Sequence, residues 1–253
     1  MCIRDRSSSI DNSRDFPLRF FLQFFNNHGL LDITNRPQWY VIKGGSKSYI
    51  PALIKPVQDV RLAEPIESVR RTADGVEVTS NKLGTLKTDS YDDVIFACHS
   101  DQAMSLLADA TAREKNILGK MRYRDNEVVL HTDPSLLPVA KRAHASWNYW
   151  IDKETDGLAS LTYSMNILQG LKTDVPVCVT LNRTHAIAAE HILRTFCYAH
   201  PVFTADFIEA QAKREEICGK HNTHFCGAYW YNGFHEDGVK SALDVCARFG
   251  EAL

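Results

Sequence analysis

The chain has 253 residues, 44% of them hydrophobic and 24% charged, with a net charge of -2. That is enough for one or two folded domains, and it excludes a disordered chain and a basic nucleic-acid-binding surface. No apolar run reaches the length of a membrane span, and seven cysteines without a CxxC pair read as free thiols of a reducing, cytoplasmic compartment.

The first six residues (MCIRDR) show neither periodicity nor targeting logic. They read as a non-native leader at the end of a truncated reading frame and are set aside. Phe16, Phe20, Phe21, Phe24 and Phe25 then recur at helical spacing, and His28-Gly29 ends the pattern. This helix is read as core packing, with a peripheral lipid contact as the alternative. The apolar run from Trp39 to Lys43 ends in Gly44-Gly45, and Ser46 is placed to cap a helix predicted over 47–57. Val60 to Leu62 reads as a strand. Ile66 to Arg71 and Val76 to Ser80 flank Asp74-Gly75, which predicts a hairpin, and Leu86 to Thr88 adds a strand. Asp93 to Cys98 has the pattern of a buried strand, followed by a helix capped by Ser100 or Asp101.

The middle of the chain is richer in strands. Asn126 to His131, Ala145 to Ile151, Leu158 to Met165 and Val177 to Leu181 carry β-branched or aromatic residues between turn signals. Thr204 then caps a helix to about Ile217. A strand over Thr223 to Tyr229 leads through Asn232-Gly233 into a last helix over about 235–249. The order fits an α/β nucleotide-binding domain interrupted by a mixed-sheet insertion, a mixed α/β (α+β) chain.

Three segments, in this order, resemble flavin-dependent amine oxidases and their phytoene-desaturase-like relatives. They are Ile42 to Ser46 with the strand VRLAEPIESV (60–69), YDDVIFACHSDQAMSLL (91–107), and FCGAYWYNGFHEDGVKSA (225–242). The likeness is nearest to a bacterial subgroup described as predicted NAD/FAD-binding proteins. It implies FAD as cofactor, an oxidoreductase activity and a small hydrophobic or amine substrate, with no nucleic-acid partner. It also implies a division into a leader (1–6), a substrate-domain helix (7–38), part of a Rossmann-like FAD-binding domain (39–110), a substrate domain (111–215) and a closing FAD-binding strand-turn-helix (216–253).

On the same resemblance, Gly44, Gly45, Ile66, Ala97, Gly227, Gly233, Phe234, His235, Glu236 and Gly238 contact the cofactor. Ile66 lies at the adenine, the backbone of His235 at flavin O2, and Phe234 beside the isoalloxazine ring. Tyr229, Trp230 and Tyr231 are expected as further aromatic walls. Phe234, His235 and Tyr198 are the catalytic candidates, and Trp147, Tyr149, Trp150, Tyr163 and Met165 are expected to roof an apolar substrate cavity. The sequence departs from the family in three ways, the first being Phe234 where the family often has Tyr or Trp. Ala228 stands where a glutamate usually follows Phe-x-Gly, and no G-x-G-x-x-G follows a strand, so the pyrophosphate cradle is expected from sequence upstream.

Other readings weigh less. His221, His224 and Cys226 have ligand types at loop spacing but lack a fourth ligand, so no metal is expected. Cys197-Tyr198 matches a flavin-linked Cys-Tyr pair only in those two residues. A lipid or isoprenoid desaturase or oxygenase, and a non-catalytic binding remnant, are the alternatives to an amine-oxidase-like enzyme.

Overall fold

The computed structural model describes residues 18, 22, 25, 26, 29, 31–34, 38, 40, 42–150 and 160–251. Phe16, Phe20, Phe21 and Phe24 of the expected Phe-rich helix lie outside these residues. Leu18, Leu22, Phe25 and Asn26 are helical. The chain divides into two compact units, Met1–Thr34 with Tyr123–Thr204, and Asn35–Arg122 with Ala205–Leu253.

The second of these units begins with a single turn of 3-10 helix, Ser46–Ser48, and a short helix α1 (Ile50–Ile54), not the one long helix expected. Pro51 starts a fresh helix and Pro56 follows its end, so neither turn extends. No strand forms at Val60 to Leu62. There Arg61 reaches out to Asp59 and Asp89 instead of pairing backbone. Next come β1 (Ile66–Arg71), β2 (Val76–Lys82) and β3 (Thr85–Tyr91), an antiparallel sheet in that order, with the hairpin at Asp74-Gly75 as expected. β4 (Val94–Phe96) leads into α2 (Ser100–Leu106) and then α3 (Ala112–Leu118), whose capping box pairs Thr111 with Glu114.

Later in the same unit, α5 (Ala205–Gln211) is shorter than expected and is followed by 3-10 turn Arg214–Glu216. β10 (Thr223–Phe225) ends four residues before the expected limit, because the chain turns at Gly227 and coils as 3-10 helix Ala228–Trp230. α6 (His235–Cys246) closes the fold. β10 lies parallel to β4, Phe225 opposite Phe96, and their rings stack with centroids 5.5 Å apart. Fully burying two such rings contributes roughly 1.5–3 kcal/mol each.

The first unit is one antiparallel sheet of five strands. These are β5 (Tyr123–His131), β6 (Trp147–Trp150), β7 (Ser160–Ser164), β8 (Cys178–Leu181) and β9 (Ile192–Pro201), in the order β6-β7-β8-β5-β9. A short helix α4 (Met165–Leu168) follows β7. Strand alternation gives the sheet two unlike faces. One buries Val129 against Leu136 and Ile187, and carries the hydrogen-bonded line His131, Thr180 and Thr162. On the other, directly opposed residues make two rows across the whole sheet. The first is Tyr149, Leu161, Leu181, Val128 and Phe196, and the second Trp147, Tyr163, Val179, Leu130 and Arg194.

Candidate functional site

A parallel pair of strands sends its chain onward from one end, and in open α/β sheets ligands bind outside those carboxyl ends. In this chain the parallel pair is β4 and β10. Cys226 N–H donates to Phe96 O at 2.9 Å, so Ala97 and Gly227 leave the sheet side by side. Two distant segments of the expected site thus meet through backbone pairing. The thiols at this end, Cys98 and Cys226, are held above their usual pKa by burial. They are protonated at neutral pH, which removes them as nucleophiles.

Gly227 is glycine for a local reason. A Cβ there would lie 2.4 Å from the Tyr229 ring. Its N–H donates to Ser241 Oγ at 2.8 Å, which ties the end of β10 to α6. Gly233 has φ +82, in the left-handed region that side chains disfavour, and its N–H closes onto Ala228 O. This turn presents Phe234 as the extended residue before α6 (φ −101, ψ 170). The Phe234 N–H is taken by the Asp237 carboxylate at 2.9 Å, and Gly238 N–H bonds back to Phe234 O. The N–H groups of His235 and Glu236 have no acceptor among the described residues. These two free donors stand at the positive end of a 12-residue helix.

Sequence reasoning missed Tyr49. Its hydroxyl lies 2.9 Å from His235 Nε2, with ring centroids 6.2 Å apart. Tyr49 follows the Gly44-Gly45 turn, whose φ angles are +88 and +76, so this one bond brings the first and third segments together. No local signal announces a partner 186 residues away. Space is open beside Gly45, where a Cβ would meet nothing within 4 Å. Ile66 opens β1 and is partly exposed.

Arg214 was also missed, since it sits in a charged stretch that reads as solvated surface. It is buried and donates to Phe225 O, Ser241 O and Asp244 Oδ2 at 2.9, 2.7 and 2.6 Å. It therefore clamps β10 to α6. Asp244 also accepts from Tyr231, whose hydroxyl is pushed up to about 12 by burial and by this carboxylate. Tyr229 and Trp230, expected as aromatic walls, are largely buried. They are 3% and 4% exposed and pack within the unit.

Tyr198 belongs to the other unit. It is 51% exposed on β9 and stacks on Phe196 with centroids 5.4 Å apart. Of the residues expected to roof a cavity, Trp147, Tyr149 and Tyr163 share the aromatic face of the five-stranded sheet. Trp150 projects on the other face, where the Arg183 guanidinium lies 3.7 Å over its ring, and Met165 starts α4.

No protein-family model matches the chain, and no curated protein does. Solved structures do match its fold. A CLA-producing fatty acid isomerase from P. acnes aligns with a TM-score of 0.58 at 14% identity, over 81% of this chain and 52% of that one. A protein from Exiguobacterium sp. 255-15 assigned as a protoporphyrinogen oxidase aligns with 0.55 at 14% identity, over 91% and 57%. A putrescine oxidase variant redesigned in cofactor binding aligns with 0.52 at 13% identity, over 81% and 53%. The chain spans little more than half the length of each. At such identity the likeness is one of fold, and the chain shares the fold of the matching parts of these three structures.

Proposed function

We propose that this chain forms the flavin-edge and substrate-binding parts of an FAD-dependent oxidoreductase that oxidises a hydrophobic or amine substrate by hydride transfer. One observation carries the reading. The two N–H groups of α6 without an acceptor among the described residues, the Gly44-Gly45 turn and the carboxyl ends of β4 and β10 lie in one unit, and Tyr49, just past the turn, bonds to His235. That donor set suits a flat cofactor whose reduced form is anionic at its N1/O2 edge, and the open space at Gly45 suits a close backbone approach.

FAD, when bound, supplies the hydride acceptor. The protein's part is to hold and polarise it. The His235 and Glu236 N–H groups stabilise negative charge without moving, since the helix fixes them beforehand. Phe234 offers its ring at the same turn. Tyr49 holds the His235 imidazole, so that side chain is engaged and its backbone N–H does the binding. Gly44, Gly45, Ile66 and Ala97 are assigned to the adenine and pyrophosphate side, and Gly227, Gly233 and Gly238 shape the turn into α6. Tyr198 is assigned to the substrate-binding sheet rather than to the flavin edge.

The test compares His235→Pro, which removes the N–H together with the imidazole, with His235→Ala, which removes the imidazole alone. Proline is tolerated at the first position of a helix, and Phe234 already has the extended conformation that a residue before proline prefers. FAD is titrated into the chain, with quenching of flavin fluorescence as the readout. Since no G-x-G-x-x-G is present, binding is expected to be weak, short of one FAD retained on purification. His235→Ala should change the affinity less than about 3-fold, because the N–H remains. His235→Pro should weaken it about 10-fold or more, as loss of a hydrogen bond to a charged group predicts. Equal affinities for His235→Pro and the unaltered chain, or no FAD binding at all, would overturn the reading.

A further inference from the structure

β9 forms one edge of the five-stranded sheet, with no strand beyond it among the described residues. Its neighbour β5 fixes which of its backbone groups face out. Glu127 donates its N–H to Asn182 Oδ1 at 3.1 Å and accepts from the Asn182 N–H at 2.9 Å, so its backbone points toward β8. Alternation then turns the backbone of Asn126 and Val128 toward β9, where they stand opposite Tyr198 and Phe196. The N–H and C=O groups of Thr195, Cys197 and Ala199 therefore point away from the sheet, and they have no partner among the described residues. The side chains along this edge are open as well: Thr195 and Cys197 are exposed, and Tyr198 is 51% exposed.

An edge of this kind is normally blunted by lysines, prolines or bulges. β9 carries such devices only at its ends. The register slips at Leu193, and Pro201 has no N–H to offer. Between them lie the seven residues 194–200, with one permanent charge, Arg194. This segment is self-complementary about its midpoint. Laid antiparallel on a second copy with Cys197 opposite Cys197, the slipped end of one strand meets Pro201 of the other. Thr195 then faces Ala199, Phe196 faces Tyr198 and Arg194 faces His200. Aromatic pairs across strands are favourable, and no two permanent charges of like sign are opposed.

We propose that β9 pairs with the β9 of a second copy of this chain, in a two-fold antiparallel dimer centred on Cys197 that joins the two sheets into one. The same edge serves both copies, so the assembly closes at two chains. The proposal is independent of the flavin reading. Seven residues a side fall short of the roughly 20–30 of a standard interface, so a weak dimer is expected, with a Kd of about 10–100 μM.

Sedimentation velocity of the full chain under reducing conditions, from about 5 to about 300 μM, should show the average mass rising from 28.6 kDa toward twice that value and no further. Opposed Cys197 residues at a hydrogen-bonded position would have Cα atoms about 5.5 Å apart, inside the ~4.4–6.8 Å that a disulfide spans. Oxidation with diamide, in a Cys2→Ser background, should therefore give a covalent dimer that Cys197→Ser reduces at least about 5-fold. Thr195→Pro removes an outward N–H from each copy and should weaken the dimer at least about 10-fold with unchanged far-UV dichroism. If that variant does not fold, the Cys197 cross-link decides. A mass that stays at 28.6 kDa throughout overturns the proposal, whatever other strand this edge accepts. So does growth beyond two chains, a cross-link indifferent to Cys197→Ser, or a folded Thr195→Pro variant that dimerises as before.

Discussion

Glu114 offers the sharpest test of how the unit that carries β1, α3 and α6 is held together. It lies 2% exposed at the start of α3, and Arg71, at the end of β1, is 8% exposed. The guanidinium donates through Nη1 and Nη2 to the two carboxylate oxygens at 2.7 and 3.0 Å, a bidentate pair. Thr111 adds its N–H and hydroxyl at 2.7 and 2.9 Å. Burial alone pushes the Glu114 pKa up, yet Arg71 and Thr111 outweigh it and hold the carboxyl below its ordinary value. Glu114→Ala leaves the Arg71 charge buried with only the half-exposed Asp109 beside it. Breaking a buried pair in this way costs about 3–5 kcal/mol. At ~2–4 °C per kcal/mol, the melting transition of this unit should fall by at least roughly 6 °C. The double change Arg71→Met with Glu114→Leu removes both charges and should recover most of the loss, because well-packed apolar replacements are often neutral. Thermal and urea unfolding by circular dichroism measure both. A Glu114→Ala loss within about 1 kcal/mol of zero, or a double variant no better than the single, would refute the reasoning. The sign with pH follows from the depressed carboxyl. Its stabilisation is complete above the unfolded value near 4.3 and is lost as pH falls through the lower folded value.

Two further outcomes are expected. Tyr49→Phe removes the same bond between the Gly44-Gly45 segment and His235 that His235→Ala removes, so FAD affinity should fall by no more than about 3-fold with no change in far-UV dichroism, and a larger loss would refute the assignment of binding to the backbone N–H. In the other unit, burial holds the His131 pKa below its usual value; Nδ1 accepts the Asp133 N–H, which leaves the proton on Nε2 toward Thr180. The unfolded chain takes up a proton near pH 6.5 and the folded one only at lower pH, so stability should drop as pH falls below about 6.5. His131→Gln should flatten that slope, and equal slopes would remove His131 as its cause.

Local chemistry was legible in the sequence where it was also short-range. Asp74-Gly75 marked the hairpin of β1 and β2 because two residues with turn chemistry sat between two apolar runs. Thr111-x-x-Glu114 was a readable capping box, yet the helix it starts went unexpected because the apolar residues of AREKNIL are too few to show a period. β9 (ILRTFCYAHP) escaped notice for a related reason. Neither of its faces is uniformly apolar, since Arg194 and Tyr198 alternate with Thr195 and Cys197, so a period of two leaves no hydropathy trace. The Arg71–Glu114 and Tyr49–His235 pairs span 43 and 186 residues, and no spacing rule reaches so far.

The glycines and aromatics of the third segment show where reading by residue type stops. The sequence offered Gly227 as a cofactor contact and Tyr229 and Trp230 as cofactor walls. The structure explains all three by one another. The Tyr229 ring fills the space a Gly227 side chain would need, Trp230 packs beside it at 5.0 Å, and Arg214 lies over the Trp230 ring. A glycine forced by its own neighbour says nothing of a ligand, and neither does a ring buried in its own unit. The N–H groups of His235 and Glu236 are different, because nothing in the described chain uses them. An amide has no residue-type signature; it was the resemblance that placed the backbone of His235 at the proposed flavin edge, and in the structure its N–H and that of Glu236 have no acceptor among the described residues. The proposed flavin contact is therefore made by backbone that substitution to alanine leaves intact and substitution to proline does not.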